Sequence, residues 1–169
     1  MRKILVPVNG THNCDLAVRH VVRQFMNNTS MEIHLLNAQP PLSSYIARFL
    51  SRKTRLEYHR DEAEKALRPA RQTLDGFGIP YAVHIEVGPR AEAITAAAHR
   101  LRCDEIVMGT ARKNSLTRLV EDSTTNRVLE LTDVPVEVIP GDAVSRWERY
   151  GIPAGLGTAI ALLIAALAD

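Results

Sequence analysis

The sequence predicts an α/β protein built on an open parallel β-sheet, and two observations lead to this fold class. Five short apolar runs, bounded by proline, glycine and polar residues, are typical of buried strands. Segments with apolar residues at helical spacing separate these runs, so strands and helices alternate. Such alternation is typical of βαβ units with right-handed crossovers. The 169 residues are enough for one domain with a substantial core.

The first two strands are predicted at residues 3–8 and 32–38. The first is uncharged after Lys3, as expected for a strand that is buried on both faces. Between the two strands, Asn13 is a candidate N-cap for a helix whose apolar positions are Ala17, Val21 and Phe25. Pro40 and Pro41 end the second strand.

Two helical faces are predicted in the long segment that follows. The first comprises Leu42, Tyr45, Ile46, Phe49 and Leu50, and the second comprises Ala63, Leu67, Ala70 and Leu74. The glycine- and proline-containing stretch at residues 75–80 predicts a turn. Residues 48–71 carry eight Lys or Arg against four acids, which is typical of a solvated helix face. Contact with anionic lipid is the alternative, because an apolar stripe lies beside the charges.

The remaining elements continue the alternation. Strands are predicted at residues 81–87, 105–110 and 134–139. Helices are predicted after Pro89 and around residues 123–131. The α/β pattern stops near residue 141, so we divide the chain into a domain of residues 1–141 and a segment of residues 142–169.

Composition limits the classes of function. The net charge of +2 is too small to indicate nucleic-acid binding, and no nucleic-acid partner is expected. Two cysteines, Cys14 and Cys103, cannot form a disulfide framework, and the first apolar run is too short for a signal peptide. A cytoplasmic protein is therefore expected. The catalytic motifs of serine hydrolases, P-loop enzymes and zinc peptidases are absent, which argues against an enzyme. The histidines show no metal-ligand spacing, although His34 and His84 could be neighbours.

In an open parallel sheet, ligands bind at the carboxyl ends of the strands. Residues 7–11 and 108–110 stand at two such ends, and their glycines would allow a ligand to approach the backbone. The helix that begins near Ser123 would offer free backbone N–H groups. This arrangement predicts a site for a nucleotide or another anion.

Three blocks resemble the universal stress protein family. They are residues 3–10 (Lys-Ile-Leu-Val-Pro-Val-Asn-Gly), residues 103–110 (Cys-Asp-Glu-Ile-Val-Met-Gly-Thr) and residues 134–139 (Val-Pro-Val-Glu-Val-Ile). The resemblance covers residues 1–141. It implies a five-stranded Rossmann-like sheet of order 3-2-1-4-5 with helices on both faces. It also implies a homodimer paired through Val134–Ile139.

The resemblance also allows a comparison with the loop motif of those family members that bind ATP. Members that bind ATP share a loop of the form Gly-x2-Gly-x9-Gly-Ser/Thr, and this chain has Gly109, Arg112, Asp122 and Ser123 at the four positions. Arg112 could hold a phosphate directly, but the Asp122 carboxylate would repel a triphosphate. The loop is therefore interpreted as degraded, and Asn9 stands where binders usually have Asp. If ATP or AMP binds, the residues expected to line the site are Pro7, Val8, Asn9, Ala38, Met108, Gly109, Arg112, Ser123 and Thr124.

The end of the chain is distinctive. Residues 152–168 contain no charge and follow Arg146, Trp147, Arg149 and Tyr150. This pattern predicts a hydrophobic C-terminal helix. The helix could contact a membrane from the cytoplasmic side, or it could pack on the partner subunit.

The function predicted from the sequence is that of a non-enzymatic regulatory dimer in stress adaptation. Two alternatives stay open. One is an ATP or AMP sensor in which Arg112 replaces a loop glycine, and the other is a membrane-tethered accessory domain that regulates a transporter.

Overall fold

The structure is a computed structural model that describes residues 1–110 and 124–141. The predicted C-terminal helix and the loop residues Arg112, Asp122 and Ser123 lie outside the described residues. The elements, in chain order, are β1 (Arg2–Pro7), α1 (His12–Asn27), β2 (Met31–Gln39), α2 (Ser44–Ala47), α3 (Arg52–Gly76), β3 (Tyr81–Val87), α4 (Arg90–Leu101), β4 (Glu105–Thr110), α5 (Thr124–Leu131) and β5 (Val136–Pro140).

The five strands form one parallel sheet of order β3-β2-β1-β4-β5, which confirms the predicted fold class and strand order. β1 lies at the centre, and Ile4, Leu5 and Val6 are fully buried. Successive side chains of a strand point to opposite faces, so each face of the sheet has its own core. Ile4 and Val6 pack with α1 and α3, whereas Leu5 packs with α4 and α5.

The helix α1 begins one residue before the predicted cap. Thr11, rather than Asn13, is the N-cap residue, and Asn13 lies in the first turn. The side chain of Asn9 explains the difference, because its Oδ1 atom accepts hydrogen bonds from the backbone N and the hydroxyl of Thr11. This contact fixes the backbone just before the helix.

The prediction of a helical face at residues 42–50 is wrong for most of that segment. Only Ser44–Ala47 are helical, and Tyr45, Ile46 and Phe49 are exposed. A helix this short has little stability of its own. The Ser51 side chain accepts a hydrogen bond from the backbone N of Thr54 and caps a new helix there. In that helix, α3, the predicted face Ala63, Leu67, Ala70 and Leu74 is buried.

The other boundaries agree with the sequence to within two residues. β3 and β4 have the predicted limits, and α4 begins directly after Pro89. The turn before β3 contains Gly78 with a φ of +63°, a conformation that suits glycine. Within the described residues, no helix has the length and apolar character needed to cross a membrane.

His34 and His84 are neighbours on β2 and β3, as predicted. His34 Nδ1 lies 3.0 Å from His84 Nε2, so the two rings share one hydrogen bond. One ring nitrogen must donate and the other must accept, which requires at least one neutral imidazole. Burial is the main cause that lowers the pKa of both histidines below the ordinary value of 6.5.

Charged groups around the pair modify this effect. The Glu32 carboxylate, 3.2 Å from His34 Nε2, favours the charged form of His34, while Lys3 disfavours it. Around His84, His34 and the Arg100 guanidinium lower the pKa further, and Glu86 opposes them. The burial effect is the largest for both rings, so the folded protein favours neutral imidazoles.

The pair predicts a loss of stability in mild acid. As the pH falls below 6.5, the unfolded chain takes up protons on these imidazoles while the folded chain resists protonation. The contribution of this pair to the free energy of unfolding is therefore fully present above pH 6.5 and is lost as the pH falls through the lowered pKa values. Urea denaturation on both sides of pH 6.5 measures the free energy of unfolding. We expect this free energy to depend less on pH in His84→Gln than in the unmodified chain. His99→Gln, at a half-exposed imidazole, is the control. If His84→Gln left the pH dependence of the free energy of unfolding unchanged, the histidine pair would not be its cause.

Candidate functional site

A cavity of about 380 Å³ opens at the carboxyl ends of β1 and β2. Asn9 follows β1, and β2 supplies the residues from Asn37 to Gln39. Residues between Tyr58 and Ala66 on α3 also line it. The cavity is lined by Asn9, Asn37, Ala38, Gln39, Pro40, Pro41, Leu42, Ser43, Ile46, Tyr58, His59, Glu62, Ala66 and Arg90. It therefore lies at the end of the sheet where the fold class predicts a ligand.

A chain of hydrogen bonds joins β1, β2 and α3 beside this cavity. Asn37 Nδ2 donates to the Val8 carbonyl at 2.8 Å, and Asn37 Oδ1 accepts from Gln39 Nε2 at 2.7 Å. Gln39 Nε2 also donates to the His59 carbonyl, and its Oε1 lies 2.8 Å from His59 Nδ1. The two donations fix the Gln39 amide orientation, so His59 Nδ1 must carry the proton that Oε1 accepts. Asn37 and His59 are buried, and the network holds them in place.

Asn9 is exposed at the edge of the cavity, but one of its side-chain atoms is already engaged. Its Oδ1 accepts hydrogen bonds from the backbone N of Thr11 (3.1 Å), the Thr11 hydroxyl (2.7 Å) and Cys14 Sγ (3.0 Å). Among residues 1–110 and 124–141, the Nδ2 amide of Asn9 has no hydrogen-bond partner, so it is the group available to a ligand. Asn9 would thus present a donor where the Asp of the family's ATP binders would present an acceptor.

Two charged residues line the cavity, and their surroundings differ. Glu62 forms an ion pair with Lys65, with 2.6 Å between Oε1 and Nζ. Arg90, the first residue of α4, is exposed and makes no ion pair within residues 1–110 and 124–141. Arg90 is therefore the cavity residue that could form an ion pair with an anionic group of a ligand. In the same ranges, no group of three or more His, Cys, Asp or Glu side chains could hold a metal ion.

The residues predicted to line a nucleotide site do not come together around one cavity in the part of the chain that the structure describes. Asn9 and Ala38 line the cavity. Pro7, Val8 and Met108 are buried, and Val8 and Met108 belong to the cores on opposite faces of the sheet. Thr124 is half-buried at the start of α5, whereas Arg112 and Ser123 lie outside the described residues.

Gly109 has a packing role that the sequence does not reveal. A Cβ atom at this position would collide with the backbone carbonyl of Asn13 in the first turn of α1 and would lie 3.0 Å from Cys14 N. The close approach of α1 to β4 therefore requires glycine here. The match of Gly109 to the first loop position has this structural explanation, independent of phosphate binding.

We expect Gly109→Ala to lower the free energy of unfolding by about 1–3 kcal/mol, because the added methyl group must push α1 away from β4. Urea denaturation measures this change. The control is Gly88→Ala, where a Cβ atom would meet no heavy atom within 4 Å. Equal stability of the two variants would contradict the packing role.

Sequence reasoning missed Asn37, Gln39 and His59. A signal was present for the first two: they are amides two residues apart at the end of a mostly apolar strand, so they lie on the same face. His59 offers no comparable signal, because it follows Gln39 by 20 residues and meets it only in the fold.

An open parallel sheet of order β3-β2-β1-β4-β5, with helices on both faces, places the chain among α/β proteins of the doubly wound class. The model of the universal stress protein family matches residues 1–140. The chain belongs to the universal stress protein family.

Individual relatives agree with this assignment. The universal stress protein MJ0531 of Methanocaldococcus jannaschii is 24% identical over 140 residues, which cover 82% of this chain and 81% of the relative. The structure of the hypothetical protein MJ0577 has a TM-score of 0.67 at 22% identity and covers 85% of this chain and 98% of its own. A universal stress protein family protein from Arabidopsis thaliana, solved with AMP bound, has a TM-score of 0.60 at 18% identity, with coverages of 85% and 94%. At such identities, the two structures show a shared fold.

Proposed function

We propose that this chain is a non-enzymatic regulatory protein whose cavity binds an adenine nucleoside monophosphate. The observation that carries the proposal is the cavity at the carboxyl ends of β1 and β2, which has both apolar and amide groups in its wall. Pro40, Leu42 and Ile46 offer apolar surface to a planar base. Asn9 and the amides of the hydrogen-bonded network offer polar groups to its edge and to the ribose.

Size and charge favour a monophosphate over a triphosphate. A volume of about 380 Å³ is near the lower end for small-molecule sites. Arg90 supplies one cation, which suits one phosphate group. The Asp122 carboxylate at the loop position would repel a triphosphate by about 4 kcal/mol at a separation of ~4 Å and an effective dielectric of ~20. AMP in the Arabidopsis thaliana relative supports the same ligand class.

The ligand test is calorimetric titration of the full chain with AMP, ATP and adenosine. AMP should bind more tightly than ATP. Arg90→Ala should weaken AMP binding about tenfold or more, the worth of a charge-assisted hydrogen bond, and leave adenosine binding unchanged. The control is Arg23→Ala, which removes an exposed cation on α1 that does not line the cavity. AMP and ATP should be recovered intact after incubation. Binding of ATP with undiminished affinity by Arg90→Ala would instead favour the Arg112 sensor, and turnover would contradict a non-enzymatic role.

We also propose that the protein is a homodimer paired through residues 134–139. β5 (Val136–Pro140) is the terminal strand next to β4, and an edge strand has backbone groups available to another strand. Its residues Val136 and Val138 are only half-buried within one chain. Pairing of two copies would cover both the backbone edge and these side chains.

The dimer is tested by light scattering, where we expect twice the mass of one chain. Val138→Glu places a charge at the edge strand and should give monomers, because two like charges would be brought together. Leu129→Glu is the control, since Leu129 is exposed on α5. A monomeric unmodified chain would contradict the proposal.

A further inference from the structure

The segment from Ser44 to Arg60 presents large apolar side chains to solvent, and we call it the aromatic–basic surface. It contains α2, the turn after it and the first two turns of α3. Tyr45 is 66% exposed, Phe49 73% and Leu56 60%. Exposed apolar side chains are common singly, but a cluster of this size indicates an interaction site.

The local structure holds these side chains in place. The rings of Tyr45 and Phe49 meet edge to face with 5.4 Å between centroids, and the Arg48 guanidinium lies 5.5 Å from the Tyr45 centroid. The side chain of Ser43 caps α2 and that of Ser51 caps α3. These contacts and caps define how the two aromatic rings are presented.

The charge of this region has one dominant sign. Residues 44–60 contain five basic residues and one acidic residue, so their net charge is +4 with neutral histidine. These residues are Arg48, Arg52, Lys53, Arg55 and Arg60 against Glu57. The one acid is 3.8 Å from Lys53, and both groups are largely exposed, so this pair neutralises little of the patch.

The combination of aromatic rings and cations indicates which occupant the surface suits. A second copy docking by the same surface would bring two sets of five cations together, and like charges oppose that contact. A bilayer that contains anionic lipid neutralises the cations. It also receives Tyr and Phe rings at the level of its headgroups, where amphipathic aromatic side chains are enriched.

We propose that the aromatic–basic surface binds the surface of an anionic phospholipid bilayer. Tyr45 and Phe49 enter the headgroup region, and the surrounding Arg and Lys side chains contact lipid phosphates. The contact is peripheral and does not require a membrane-spanning helix. It uses residues 44–60 and is independent of the apolar residues 152–168.

The test is co-sedimentation of the full chain, without nucleotide, with two kinds of vesicle. One is phosphatidylcholine alone, and the other is three parts phosphatidylcholine to one part phosphatidylglycerol. The chain should bind the anionic vesicles more strongly, and added salt should weaken that binding. Residues 152–168 carry no charge, but Arg146 and Arg149 precede them, so lipid charge alone does not separate contact by the tail from contact by the aromatic–basic surface, and variants within the surface are needed.

Two double variants locate the binding surface. Tyr45→Ser with Phe49→Ser removes the rings, and Arg48→Glu with Arg52→Glu reverses two charges. Each should lower the partition coefficient on anionic vesicles by about tenfold or more, since one cation near such a surface contributes roughly fivefold. Circular dichroism checks that each variant is folded.

Matched controls lie on and beside the other half of α3. Phe77→Ser removes an aromatic side chain that is 55% exposed, and Arg68→Glu reverses an exposed charge. Both should bind as the unmodified chain does. Equal binding to the two vesicle types, equal losses in variants and controls, or no vesicle binding would overturn the proposal. Selective binding of an acidic peptide without vesicle binding would assign the surface to a protein partner instead.

Discussion

The burial of β1 is the constraint on which the rest of the structure depends. Ile4, Leu5 and Val6 are fully buried, and β1 hydrogen bonds to β2 on one edge and to β4 on the other. Its alternating side chains anchor both cores, so helices must cover both faces. The same strand ends at Pro7, and this end brings Val8 and Asn9 next to the end of β2. The position of the cavity is thus a consequence of how the core is built.

Polar interactions at the end of the sheet depend on this hydrophobic framework. The Val8 carbonyl is buried near the cavity and accepts a hydrogen bond from Asn37, while the Val8 amide donates to Leu36. Gln39 then connects Asn37 to His59 on α3. A buried polar network is stable only when its members are satisfied, and these partners come from three elements. The cavity therefore has an ordered wall before any ligand is bound.

The sequence predicted the elements better than the site, for a physical reason. Strands such as Glu105–Thr110 are recognisable because a continuous apolar run is a local signal of burial. The segment at residues 42–50 also has apolar residues at helical spacing, but Tyr45 and Phe49 are exposed. Here the apolar pattern belongs to a surface and not to a buried helix face. Gly109 matched a ligand loop in sequence, yet its lack of a side chain is required by α1. The pairing of Gln39 with His59 depends on the tertiary fold and has no local signal.

The cavity and the aromatic–basic surface share two side chains. Ile46 and Tyr58 line the cavity, and each is also about half exposed in the segment proposed to meet a bilayer. A ligand that contacts these side chains alters the groups available to the bilayer, and a bilayer that takes them up alters the wall of the cavity. Such a coupling is reciprocal: any factor by which the ligand changes membrane affinity is the factor by which the membrane changes ligand affinity. Because Ile46 and Tyr58 belong to both the proposed small-molecule site and the proposed bilayer-binding surface, we expect ligand binding and membrane binding to influence each other.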